Sequence, residues 1–136
     1  MKKELLVLVF FGCVIQSIFG QSIQINKIDA EIKIDGVPDE IWNTADSAYN
    51  FTQNFPTDSL PAKAQTVAKI LYDESNIYVL GIMSNLPGGR KYVTPSLRRD
   101  FRGAANDSFS VVFDTFSDRT NAILFGVNPF GVMREA

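Results

Sequence analysis

Apolar and polar side chains alternate along much of this chain with a period of two, the period of a strand that turns one face to a core. Ile23, Ile25, Ile28, Ile32 and Ile34 recur in a stretch interrupted at Asn26-Lys27 and Asp29-Ala30, and the alternation in Ile32-Lys33-Ile34-Asp35 predicts a first strand. Asp35-Gly36 supplies a turn. Pro38, Asp39 and Glu40 ahead of Ile41-Trp42 predict a short helical segment, because proline and acidic residues suit a first helical turn. Tyr49, Phe51 and Phe55 alternate with polar neighbours and predict a second strand, ended by Pro56 and a loop over 56–61.

The clearest hairpin signal comes next. Val67, Ile70, Leu71 and Tyr72 predict a strand over 66–72, and the turn cluster Asp73-Glu74-Ser75-Asn76 leads into another over 77–83. Residues 85–96 are rich in Gly and Pro and read as an exposed loop. A second hairpin follows, with strands over 108–114 and 122–128 joined at Ser117-Asp118-Arg119-Thr120. After the turn Asn128-Pro129-Phe130-Gly131, residues 132–136 read as a strand that has just begun. The expected class is all-β, an antiparallel β-sandwich of jelly-roll type, truncated at the C-terminus so that an edge and an apolar face stay uncovered.

The N-terminus stands apart from this pattern. Met1-Lys2-Lys3 opens a nearly unbroken apolar run from Leu5 to Ile15, closed by Gln16, Ser17 and Gly20. The run is shorter than the ~20 residues of a spanning helix, so residues 1–20 are expected to be a signal peptide and 21–136 an exported domain of the periplasm or cell surface. Cys13 as a lipidated residue is the weaker alternative, because Phe10 and Phe11 are bulky where such a site wants small side chains.

Composition narrows the chemistry. Cys13 is the only cysteine and there is no histidine. The exported part must therefore stand on its packed core without disulfides, and it has neither zinc ligands of the Cys/His type nor a histidine-activated nucleophile. With 13 Lys+Arg against 15 Asp+Glu the formal net charge is −2, well mixed along the chain, which gives no electrostatic reason to expect nucleic acid as a partner. Glu31, Glu40, Glu74 and Glu135 are scattered among turns and strands, so no carboxyl pair suited to glycoside hydrolysis stands out.

The string Ile34-Asp35-Gly36-Val37-Pro38-Asp39-Glu40-Ile41-Trp42 resembles the opening of family 9 carbohydrate-binding modules. Ile70-Leu71-Tyr72-Asp73, Asn76-Ile77-Tyr78-Val79, Arg98-Arg99-Asp100, Asp107-Ser108-Phe109, Val112-Phe113-Asp114-Thr115 and the segment from Phe125 to Val132 add to the resemblance in order. It implies a β-sandwich that binds an oligosaccharide or polysaccharide, often with calcium as cofactor. It also implies a place at the N-terminus of a larger secreted protein of Bacteroidetes type, whose C-terminal remainder is β-rich and outer-membrane-associated. Glycoside hydrolysis belongs, in this resemblance, to the enzymes such modules are attached to.

Candidate binding residues follow from sugar chemistry, which calls for donors, acceptors and a ring face together. Arg98, Arg99 and Asp100 at the end of the Gly/Pro loop, with Asp107 beyond it, offer charges of both signs, and an ion-pair network tying the loop to a sheet is the rival reading. Phe55, beside the Pro56 loop, is the aromatic ring assigned to stacking, whereas Tyr49, Phe51 and Trp42 are expected in the core. Asp107 and Asp114 are the candidate calcium ligands, and Asp118 is expected to shape a turn.

Overall fold

The computed structural model describes residues 22–58, 60–84 and 88–136. The expected signal peptide, with Cys13, lies outside the described residues. The described chain is mostly strand and loop, with two short 3-10 turns at Glu40–Thr44 and Gly103–Ala105. One sheet holds β1 (Asn26–Lys27), β2 (Thr66–Tyr72) and β3 (Ile77–Met83), and the other holds β4 (Phe109–Phe113), β5 (Ile123–Val127) and β6 (Met133–Glu135), each in the order given. The class is all-β.

Contacts divide the chain into two compact units. The first comprises the described residues up to Ala48 with Lys69–Leu80, and the second comprises Tyr49–Ala68 with Gly81–Ala136. The β2–β3 hairpin thus gives its turn end to the first unit and its open end to the second.

In the first unit, Ile28, Ile32, Trp42, Ala45 and Leu71 form the core. Leu71 is fully enclosed and Trp42 is 6% exposed. Removing such side chains from water contributes roughly 1.5–3 kcal/mol apiece, and together they hold β1 parallel to β2, with Asn26 opposite Leu71 and Ile28 N–H donating to Tyr72 O at 2.8 Å. The turn at Glu40–Thr44 delivers Trp42 into this core, and the Lys69 ammonium donates to Trp42 O at 2.8 Å. The same carbonyl also accepts from Ala45 N–H at 3.3 Å, so the ammonium is its second donor.

The first predicted strand does not form over 32–35; the two-residue β1 falls on Asn26-Lys27, where the alternation is interrupted. Asp side chains explain why: Asp35 Oδ1 accepts from Val37 N–H at 2.9 Å and Asp39 Oδ2 accepts from Lys33 N–H at 3.2 Å. These local bonds compete with a sheet ladder, and Ile34 ends up 84% exposed. The expected Asp35-Gly36 turn forms, with Gly36 at φ +83. Asp73 organises the β2–β3 turn. Its Oδ1 accepts from Ser75 and Asn76 N–H, both at 2.7 Å, and its Oδ2 accepts from the Tyr78 hydroxyl at 2.6 Å.

In the second unit β4 and β5 pair antiparallel, Phe109 opposite Val127 and Phe113 opposite Ile123, and β6 returns along β5. The register collects Phe109, Val111, Phe113, Ile123, Phe125, Val127 and Met133 on one face, with Glu135 beside Phe125. Phe113 and Phe125 meet edge to face, centroids 6.1 Å apart. Gly81 passes so close to Phe109 that a Cβ there would stand 3.1 Å from the ring. The predicted strand over 49–55 is reduced to an isolated bridge between Thr52 and Pro61, flanked by Gln53 N–H to Leu60 O and Ala62 N–H to Phe51 O. Asn50 at φ 57 breaks the extended run, and Tyr49 and Phe51, expected in the core, are 49% and 43% exposed.

Candidate functional site

The second unit contains a cavity of about 380 Å³. Its apolar wall is the Phe109–Val127 end of the β4–β5 ladder together with Met83 at the end of β3. Its polar groups come from the connections: Ser84, Arg90 and Tyr92 from the segment after β3, Asp107 and Ser108 from the approach to β4, and Asn128 from the turn after β5.

Arg90 and Asp107 fix the segment after β3 against the entrance of β4. The guanidinium donates to Asp107 Oδ1 at 2.7 Å, Val93 N–H donates to Oδ2 at 2.8 Å, and Asp107 N–H donates to Val93 O at 2.7 Å. Both carboxylate oxygens are therefore engaged, while Arg90 has N–H groups beyond the one facing Asp107. The Tyr92 residue, held next to Val93, is 54% exposed at the cavity.

Asn128 is 3% exposed. Its Oδ1 accepts from Phe130 N–H and Val132 N–H, both at 3.0 Å, which fixes the amide's orientation and shapes the turn leading to β6. That orientation leaves its Nδ2 buried without a partner, a rare condition for an amide and one that calls for a reason.

Of the residues singled out in the sequence, Asp107 lines this cavity, and Arg98, Arg99, Asp100, Phe55 and Asp114 do not. Arg99 pairs with Glu135 at 2.5 Å, and Asp100 bonds to the β6 backbone, so these two tie their loop to the sheet. Arg98 N–H donates to Ser96 Oγ at 3.2 Å. Phe55 presents an open ring, 84% exposed, outside the cavity. Asp114 Oδ2 accepts from Arg119 N–H at 3.2 Å, and Asp118 holds a turn through Thr120 and Asn121 N–H, as expected. Those bonds, with the Asn121 side-chain amide foremost, hold the Asp118 carboxyl well below the usual carboxylate range.

Asp107 and Asp114 flank the five residues of β4, which keeps them on the order of 20 Å apart. Oxygen ligands of calcium lie at ~2.3–2.6 Å, so the two do not fit a shared ion. Among the described residues no three Asp or Glu side chains gather where they could hold a metal.

Arg90, Tyr92, Ser84 and Asn128 escaped the sequence reading because they sit in segments legible only as loop or turn. The one available signal was the opposite charge of Arg90 and Asp107 at the two ends of the same connection. No protein-family model, curated protein or solved structure matches the chain.

Proposed function

We propose that the chain is a non-catalytic carbohydrate-binding module, a β-sandwich of the type its sequence resembles, exported and joined to a larger polysaccharide-handling protein. The cavity around Arg90, Tyr92 and Asp107 is its binding site. The observation that carries this reading is the composition of the cavity: an exposed aromatic ring, a paired guanidinium and carboxylate, and small hydroxyl groups around an apolar floor. A pyranose needs that mixture, because its hydroxyls donate and accept while its C–H face seeks a ring. At about 380 Å³ the cavity also falls within the ~300–1,000 Å³ of small-molecule sites. Binding without hydrolysis fits the state of Asp107, whose oxygens are both held by Arg90 and Val93, whereas glycoside hydrolysis employs two working carboxyl groups.

Retention of the chain on immobilised polysaccharides tests the reading. Tyr92→Ala and Arg90→Ala should each weaken retention, by about tenfold in affinity for a loss near 1.4 kcal/mol. Unchanged retention in both variants would remove the cavity from the account.

A second reading rests on a separate observation. The β4–β5–β6 face is mainly apolar apart from Glu135, and Ile123, Phe125 and Met133 on it are 43%, 47% and 54% exposed. A face of that kind suits docking, and the alternative is a structural or gating domain seated on an outer-membrane-associated region with no sugar ligand.

A further inference from the structure

We propose that the cavity selects uncharged saccharides, and that Asp107 sets this preference by neutralising the cation on its lining. The inference rests on the carbohydrate reading above and names the ligand class within it.

Arg90 and Asp107 carry the formal charges among the residues lining the cavity, and they cancel across a contact of 2.7 Å. Asp107 is the more enclosed partner, its side chain 28% exposed against 53% for Arg90. It is also anchored twice to the Val93 backbone. A uronate entering the site would compete with Asp107 for the guanidinium. Winning that competition would leave Asp107 with the Val93 N–H alone, and failing it would place two carboxylates side by side, which disfavours the second charge.

A neutral sugar meets neither obstacle. One hydroxyl can accept from the unused N–H groups of Arg90 and donate to a spare lone pair of Asp107, with the ion pair left intact. Asp107 is in this account a specificity-determining residue, and its carboxylate charge, more than its shape, is the determinant.

The test compares the full chain with its Asp107→Asn variant on oligosaccharides of equal length, glucose and galactose polymers against glucuronic and galacturonic acid polymers, with thermal melts run alongside. The wild type should bind the neutral set and discriminate against the uronates. Asp107→Asn keeps an acceptor oxygen, removes the charge, and should shift the uronate-to-neutral ratio toward uronates by on the order of tenfold. That gain should weaken with salt and disappear when Arg90→Gln is added. Uronates bound by the wild type as well as neutral sugars, or a folded Asp107→Asn variant with an unchanged ratio, would overturn the inference and leave the carbohydrate reading standing. If Asp107→Asn does not fold, the wild-type ratio alone decides between these outcomes. A folded wild type that binds neither set would overturn the carbohydrate reading itself.

Discussion

Asp100 meets the β6 strand at two points: its N–H donates to Met133 O at 3.0 Å, and its Oδ1 accepts from Glu135 N–H at 3.0 Å. One residue thus occupies consecutive hydrogen-bonding groups on the β6 backbone, doing for that strand what a neighbouring strand would do. Its backbone is left-handed, φ 58, and Arg99 adds an ion pair to Glu135. Unpaired edges invite pairing with other chains, and this loop closes part of one.

Replacing Asp100 separates the two contributions. Asp100→Asn retains both an acceptor and tolerance of the left-handed region, and should cost little. Asp100→Ala loses the bond to Glu135 and places a residue without a stabilising side chain at positive φ, a combined cost of about 2–3 kcal/mol. Asp100→Gly, which loses the bond and relieves the backbone, should fall between them. Urea denaturation followed by far-UV circular dichroism gives the order, and Asn falling below Ala would contradict this account of the edge.

Asp73 supplies a pH dependence. The Tyr78 hydroxyl, then the Ser75 and Asn76 N–H groups, hold its carboxyl at about 2 against an ordinary 3.8. A carboxyl whose folded value is depressed stabilises the fold above its unfolded value, and that contribution fades as pH falls from about 4 toward 2. Tyr78 is shifted the opposite way, upward, chiefly by its bond to Asp73. For a phenol, a raised folded value means a contribution present below its ordinary range near ~10 and lost above it. Tyr78→Phe should therefore move the Asp73 carboxyl resonance upward in an NMR titration and narrow the acid side of the stability profile. An unmoved titration would show that the hydroxyl is not the main cause.

Trp42 is the only tryptophan in the chain and sits in the core of the first unit. Its fluorescence should be blue-shifted in the native protein and move red on unfolding. Trp42→Ala should destabilise this unit by about 3–5 kcal/mol. A red-shifted native spectrum would contradict its burial.

Asn128 secures the turn into β6 with one oxygen and two backbone donors. Asn128→Ala strands the Phe130 and Val132 N–H groups at a site 3% exposed, at a cost of about 2–4 kcal/mol for the pair. Chemical denaturation measures it, and a loss under about 1 kcal/mol would mean that water replaces the amide.

The hairpins were legible because period-two alternation and Asp- and Asn-rich turns agree there. The strands expected over 66–72 and 77–83 are β2 and β3, and those over 108–114 and 122–128 contain β4 and β5 with one residue trimmed at each end. The first two predicted strands were legible only in their apolar content. Side-chain capture by Asp35 and Asp39 and the left-handed Asn50 undo the ladders there, and neither leaves a trace in periodicity. The cavity was the least legible feature. Its polar groups converge mainly from two connections, β3–β4 and β5–β6, and only tertiary pairing brings Arg90 to Asp107 across 17 positions of sequence.

Carbohydrate binding at that cavity is the central claim, and a glycan array probed with the full chain, with and without calcium, tests it most directly. Saturable binding to a defined oligosaccharide, weakened by Tyr92→Ala and unaffected by calcium removal, is the result predicted. A folded chain that binds no glycan under either condition would contradict it.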